Sequence, residues 1–161
     1  MIVVADTSSV LNLCCLRHEH VLQELFGKLL APPAVWDEFQ KLAGSDPRFA
    51  GLAFPAFIEI VAPSRVPPTL AGNERLHSGE VNALALASEI KADAILMDER
   101  AGRTEAKALG IPAIGILGIL IRAKELSLVP ELAPLLDQLQ SRAGFWIAES
   151  LRERVLKLAG E

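Results

Sequence analysis

Two apolar stretches of the chain each lead to an aspartate. The segment "IVVADTSS", residues 2–9, reaches Asp6, and "ILMDER", residues 95–100, reaches Asp98. Short apolar runs of this kind are typical of strands that are buried on both faces of a parallel sheet. Ligands of such sheets bind outside the carboxyl ends of the strands. We therefore expect the two carboxylates to lie at the same edge of a sheet and to share a ligand.

Two glutamates are placed to join these aspartates. Glu80 lies in the first turn of a helix predicted from Ser78, and Glu38 lies one turn into a helix favoured by Pro32 and Pro33. Two like charges ~4 Å apart repel by about 4 kcal/mol at an effective dielectric of 20. A domain is stable by only ~5–15 kcal/mol, so such a cluster needs protons or a cation.

The expected cation follows from the chemistry of these side chains. Carboxylate oxygens without clustered histidine or thiolate ligands favour Mg²⁺ or Mn²⁺. Such ions can activate water and neutralise the charge that develops on the leaving oxygen of a phosphodiester. The predicted metal ligands and catalytic residues are Asp6, Glu38, Glu80 and Asp98.

Each acid also has a structural interpretation. Asp6 could cap the following helix, Glu80 could interact with a helix dipole, and Glu38 could be a solvated helix residue. Glu99 follows Asp98 directly, and in an extended segment its side chain would point away from the cluster.

Charge restricts how the protein could bind a nucleic acid. The net charge is −4 and the sequence pI is about 5.4, whereas proteins that bind nucleic acid through charge alone are usually basic. Metal ions or a local basic patch must then bind the phosphate groups of the nucleic acid. Arg100 and Arg103 lie beside the predicted site and could clamp a phosphodiester backbone, or could instead pair with Glu99 or Glu105.

The order of elements predicts an α/β fold, specifically a three-layer α/β/α sandwich with a mainly parallel central sheet. We expect a single domain over residues 1–161, with a Gly/Pro-rich loop or flap at about 43–73 and a C-terminal helix at about 147–159. Strands are predicted at 1–5, 57–61, 94–97 and 111–116. Helices are predicted after Asp6 and at 20–30, from 32 to about 42, and at 78–90, 101–109, 117–126, 129–140 and the C-terminus.

Composition excludes other classes. The apolar stretch Ile111–Ile121 contains a proline and two glycines and is too short to cross a bilayer. The N-terminus lacks the basic region of a signal peptide, so we expect a cytoplasmic protein with no membrane partner. Cys14 and Cys15 are adjacent, which disfavours a disulfide, and we expect both in the core.

The motifs "VVADTSSVLNL", "PPAVWDEF", "HSGEVNALALA", "ILMDERAGR" and "IPAIGILGIL" occur in an order that resembles the PIN-domain family. More narrowly, the chain resembles bacterial and archaeal PIN-like proteins related to toxins of toxin–antitoxin pairs. The resemblance implies a metal-dependent endoribonuclease that cleaves RNA, with Asp6, Glu38, Glu80 and Asp98 as its acids and Ser8 as a hydroxyl that contacts the substrate. It also implies a homodimer and a small antitoxin protein as a partner. Family members often carry a second aspartate where this chain has Glu99, and a small residue where it has His77.

Two other functions remain open from the residues alone. One is a catalytically inactive PIN-like module that binds RNA or a protein partner, which the acidic surface and the Glu99 substitution favour. The other is a phosphotransfer domain, which the sequence disfavours because Ser8 stands where an aspartate-nucleophile phosphatase needs a second aspartate. No G-x-G-x-x-G motif follows the first strand, which argues against dinucleotide binding.

Overall fold

The computed structural model describes residues 1–161, which form five strands and nine α-helices. The strands are β1 (Ile2–Ala5), β2 (Lys28–Ala31), β3 (Ile58–Ile60), β4 (Ala94–Leu96) and β5 (Ala113–Ile114). The helices are α1 (Thr7–Cys15), α2 (His20–Leu25), α3 (Pro33–Ser45), α4 (Pro68–Ala71), α5 (Ser78–Glu89), α6 (Arg100–Ala108), α7 (Ile116–Glu125), α8 (Ala133–Ser141) and α9 (Glu149–Leu158). A short 3₁₀ helix covers Pro47–Phe49.

All five strands pair in parallel, in the order β3-β2-β1-β4-β5. Val3, Val4 and Ala5 of the central strand are each 0% exposed. Successive strand residues point to opposite faces, so helices must cover both faces of the sheet. The predicted three-layer α/β/α sandwich with a parallel sheet is confirmed.

The strand order places a crevice between β1 and β4. From β1 the chain moves outward to β2 and β3, and it then returns to add β4 on the other side of β1. Ala5 of β1 is in register with Leu96 of β4, so both strands end at the same level. A reversal of this kind is the position where open α/β sheets bind their ligands. Asp6 directly follows β1, and Asp98 lies two residues after the end of β4.

The predicted helix at 20–30 is wrong in its second half. Helix α2 ends at Leu25, Phe26 is extended, and the following residues form β2. The stretch "LFGKLLA" has no alternating pattern, because Leu29, Leu30 and Ala31 are all buried between β1 and β3. A continuous apolar run fits a buried helix and a buried strand equally well, and pairing with β1 decides between them here.

The segment predicted as a loop or flap contains regular structure. The strand predicted at 57–61 is present as β3 and forms one edge of the sheet, and the 3₁₀ helix and α4 are two further elements within residues 43–73. Strand β5 is shorter than the predicted 111–116, since Gly115 already caps α7. Helix α8 starts at Ala133 and not at 129.

Both cysteines are free and buried, as expected. Helices long and apolar enough to span a bilayer are absent from the structure.

Candidate active site

Asp6 is the N-cap of α1 and is 1% exposed. Its Oδ1 accepts the Ser9 amide at 3.0 Å, and its Oδ2 accepts the Ser8 hydroxyl at 3.2 Å. Burial raises the pKa of Asp6 to about 7, although the bonds from Ser9 lower it, and the charges of Asp98 and Glu80 raise it further. The capping interpretation is therefore correct, and the same carboxylate also lies among other acids.

Asp98 lies next to this cap. Its Oδ1 accepts the Ile116 amide at 2.9 Å, and its Oδ2 accepts the Ser9 hydroxyl at 3.4 Å. Ser9 thus contacts both aspartates, Asp6 through its amide and Asp98 through its hydroxyl, which makes the two carboxylates neighbours. Burial raises the pKa of Asp98, although the Ile116 amide and the Arg103 charge lower it. The structure brings together the two acids that follow β1 and β4.

The two glutamates converge from different helices. Glu80 of α5 is 7% exposed; its Oε1 accepts the His77 amide at 2.9 Å, and its Oε2 is buried with no hydrogen-bond partner. Burial raises the pKa of Glu80, and the charges of Glu99 and Glu38 add to this effect. Glu38 of α3 accepts the Gly79 amide at 2.6 Å. The first turn of α5 therefore contains Glu80 and also binds Glu38 through the Gly79 amide.

A cavity of about 80 Å³ lies between these side chains, and we call it the acidic cavity. None of its lining residues is hydrophobic. The hydroxyl Oγ1 of Thr7 is buried there without a partner, like Oε2 of Glu80. Asp98 does not line the acidic cavity but lines two neighbouring ones. The lining residues are Asp6, Thr7, Ser8, Glu38, His77, Glu80 and Glu99.

Several residues of the site, among them Thr7, were not identified from the sequence. Glu99 lines the acidic cavity, contrary to the expectation that it points away. That expectation assumed an extended segment, but β4 ends at Leu96 and Glu99 is already the N-cap of α6, so strand alternation no longer applies. Ser9, which contacts both aspartates, was also missed. An acid directly before a helix start is the signal that could have identified Glu99.

The donor set fits a hard divalent cation. Four carboxylates line one small polar cavity, and one of their oxygens is buried without a partner. No group of three or more His, Cys, Asp or Glu side chains is arranged so that all could bind the same ion. Mg²⁺ usually keeps several waters and binds through one or two carboxylates together with substrate phosphates. A complete cage of protein ligands is therefore not required for this metal.

The predicted substrate arginines border the same region. Arg100 and Arg103 are exposed, and neither forms an ion pair with Glu99, Glu105 or any other acid. Nη1 of Arg103 donates to the Met97 carbonyl at 2.9 Å, which holds this side chain near Asp98. Both arginines line a cavity of about 580 Å³ together with Asp98 and Lys107, which we call the basic groove.

Comparison with known proteins identifies the family. A family model described as a PIN domain matches residues 2–161. A PilT N-terminus domain protein from the hyperthermophilic archaeon Sulfolobus solfataricus P2 has a similar fold, with a TM-score of 0.56 and 22% sequence identity, covering 76% of this chain and 93% of that chain. No curated protein matches the chain. Since the family model spans nearly the whole sequence, the predicted resemblance is confirmed and the chain belongs to the PIN-domain family.

Proposed function

We propose that the protein is a divalent-metal-dependent endoribonuclease, a hydrolase that cleaves RNA phosphodiester bonds. The observation that carries the proposal is Oε2 of Glu80, a carboxylate oxygen buried without a partner in a cavity that three further acids line. An unpaired buried polar atom is costly, by about 1–3 kcal/mol and more for a charged group. A bound cation would remove that cost.

We assign Mg²⁺ or Mn²⁺ to Asp6, Glu38, Glu80 and Asp98, which are also the proposed catalytic residues. When bound, such an ion supplies an activated water and neutralises charge on the leaving oxygen. The hydrogen bonds from Ser9 and Ile116 fix the orientations of the two aspartates. Those from His77 and Gly79 fix the two glutamates. These hydrogen bonds fix each carboxylate individually, and binding of an ion would require the carboxylates to move closer together.

The chain supplies positive charge beside this acidic region. Arg100 and Arg103 lack acidic partners and lie along the basic groove, which includes Asp98. Guanidinium groups bind phosphate through paired N–H donors. We propose that these two arginines hold the RNA backbone and that the Ser8 hydroxyl, at the edge of the acidic cavity, contacts the cleaved phosphate.

The proposal extends to a biological setting that rests on membership of the PIN-domain family. We propose a cytoplasmic toxin of a toxin–antitoxin pair, which acts as a homodimer and is blocked by a small antitoxin protein. Co-expression with the product of the adjacent reading frame tests this part. The expected result is a stable complex that lacks ribonuclease activity; a neighbouring protein that neither binds nor inhibits contradicts the toxin assignment.

The decisive experiment for the activity uses labelled RNA with Mg²⁺ or Mn²⁺. The wild-type protein should cleave RNA only when the metal is present, and Asp6→Asn and Glu38→Gln should each lower the rate by at least about a hundredfold, since general acid–base and electrostatic groups contribute on this scale. Asp37→Asn is the matched control, because Asp37 is exposed and adjacent to Glu38 but outside the acidic cavity. Equal cleavage by the wild type and Asp6→Asn would end the proposal.

A second function has specific support. The absence of three preorganised ligands favours a PIN-like module that binds RNA or a protein without catalysis. Isothermal calorimetry with Mn²⁺ distinguishes the two: heat of binding and a thermal shift support the nuclease, and neither is expected of the inactive module.

A further inference from the structure

A second cavity of about 290 Å³ adjoins the acidic cavity. The two share Ser8 and Glu99, and Asp98 also lines the second one. Unlike the acidic cavity, it has apolar and aromatic walls, formed by Leu11, Leu42, Phe49, Ala143 and Phe145. We call it the Asn12 cavity, after the one neutral amide side chain in its lining. An apolar space therefore opens directly beside the proposed phosphate position.

Asn12 presents to this cavity an amide that bonds to no other residue. It lies on α1 and is 7% exposed, yet its side-chain amide takes part in none of the hydrogen bonds of the structure. Neither atom of this amide is among the side-chain atoms that are buried without a partner, so both reach the open space of the cavity and are free to contact a ligand. An asparagine amide offers one acceptor and two donors, so a ligand that presents a donor beside an acceptor would satisfy it.

Arg48 holds another part of the cavity wall in place. Its Nη2 lies 2.7 Å from Oδ2 of Asp46, its Nη1 donates to the Ala143 carbonyl at 3.1 Å, and its guanidinium lies 5.0 Å from the ring centroid of Phe49. Gly144 has a φ of +70°, and a Cβ there would come within 2.5 Å of Nη1. The turn at 143–145 thus packs closely on Arg48, and this part of the cavity wall is preformed.

We propose that the Asn12 cavity binds one unstacked base of the RNA strand whose phosphate lies at the acidic cavity; this inference rests on the proposed function. Single-stranded RNA is recognised by splaying bases onto aromatic rings and guanidinium planes and by hydrogen bonds to their edges. Phe145 and Arg48 supply the stacking surfaces, and the Asn12 amide contacts the base edge. We expect adenine, because its amino group and adjacent ring nitrogen complement an asparagine amide. Asn12 is thus a specificity-determining residue.

The test compares RNAs that differ only in the base next to the cut. Wild-type protein should prefer adenine there by about tenfold or more, since a bidentate amide–base pair discriminates by ~1–3 kcal/mol. Asn12→Ala should abolish that preference, and Phe145→Ala should weaken binding of every base. The control is Asn82→Ala, since the Asn82 amide donates to the Ser78 carbonyl of its own helix, away from this cavity. Far-UV circular dichroism and thermal unfolding confirm that each variant is folded.

A binding measurement separates this inference from the proposed activity. Short RNAs with each base in turn are titrated into Asp6→Asn protein, with and without Asn12→Ala, and followed by fluorescence anisotropy. Base-selective binding that Asn12→Ala removes supports the cavity even if the wild type cleaves nothing, in which case only the nuclease proposal fails. Cleavage without base preference, or with a preference that Asn12→Ala leaves intact, overturns the base site and leaves the nuclease proposal standing. Absence of both cleavage and base-selective binding overturns both.

Discussion

The amide of Gly79 donates a 2.6 Å hydrogen bond to Oε2 of Glu38. This contact joins α5 to α3 and holds an acid from one helix at the first turn of the other. The approach is close because residue 79 has no side chain: a Cβ there would lie 2.5 Å from Oε2 of Glu38 and 2.8 Å from Oγ1 of Thr7. The glycine before Glu80 is thus part of the construction of the acidic cavity.

Gly79→Ala should therefore displace Glu38. We expect loss of metal-dependent RNA cleavage and a decrease of about 1–3 kcal/mol in the free energy of unfolding, the usual cost of an added methyl group in a packed site. Denaturant unfolding and the RNA assay measure the two effects. Gly44→Ala is the control, because Gly44 lies in α3 and a Cβ there would have no neighbouring atom within 4 Å, so alanine should stabilise the helix. Normal activity of Gly79→Ala would show that Glu38 is dispensable.

Asp98→Asn should leave the metal-free protein as stable as the wild type, or more stable. Burial raises the pKa of Asp98, so the folded protein favours its neutral form, which asparagine imitates. The same substitution should abolish stabilisation by Mg²⁺. Asp46→Asn is expected to act in the opposite direction, because hydrogen bonds from Arg48 lower the pKa of Asp46 and stabilise its charged form. Thermal unfolding with and without Mg²⁺ measures both, and an Asp98→Asn protein that Mg²⁺ still stabilises contradicts the assignment.

Stability of the metal-free protein should fall with rising pH over the range in which Asp6 titrates. The ordinary pKa of the group is 3.8 and its folded value is about 7, so the folded state binds a proton that the unfolded state has already lost. The stabilisation by this proton is complete below pH ~4 and is lost as the pH rises through 7. A pKa difference of this size corresponds to roughly 4 kcal/mol.

Denaturant unfolding at pH 5 and pH 8 measures the larger part of this effect, about 3 kcal/mol, because the loss below pH 5 has already occurred. The difference between wild type and Asp6→Asn isolates Asp6 from other acids, including Asp46 and Glu89, whose pKa values are lowered. Saturating Mg²⁺ should reduce the loss at pH 8, because the ion stabilises the charged carboxylate. An identical pH dependence in wild type and Asp6→Asn would show that Asp6 is charged throughout.

Replacing Arg100 or Arg103 by alanine should weaken RNA binding with little effect on base preference. Each lost phosphate contact should reduce the slope of log affinity against log salt by about 0.7, the value for single-stranded nucleic acids. Fluorescence anisotropy at several salt concentrations measures the slope, in an Asp6→Asn background to prevent cleavage. Arg122→Ala is the control, because Arg122 pairs with Glu125 on α7. Slopes equal to that of the control would place the RNA backbone elsewhere.

Much of the fold is visible in the sequence, because its signals are local. β1 and β4 are short apolar runs that end at an acid, α3 has an amphipathic pattern, and α5 is a longer, mostly apolar stretch. Strand β2 was missed because its leucines suit either structure and only pairing with β1 makes it a strand. Asp6 and Asp98 could be placed at one edge of the sheet because parallel strands end together.

The sequence by itself therefore determined the α/β class and the resemblance to the PIN-domain family, and it pointed to three of the acids that line the acidic cavity, Asp6, Glu38 and Glu80. Only the tertiary structure decided which atoms meet: Ser9 between Asp6 and Asp98, the Gly79 amide on Glu38, Glu99 in the acidic cavity, and Asn12 without a partner. The physical reason is the distance along the chain between the residues that interact. Strand and helix signals, and the cap that joins Ser9 to Asp6, come from neighbours along the chain, whereas the contacts of Ser9 with Asp98 and of Gly79 with Glu38 depend on how separate elements pack at the end of the sheet.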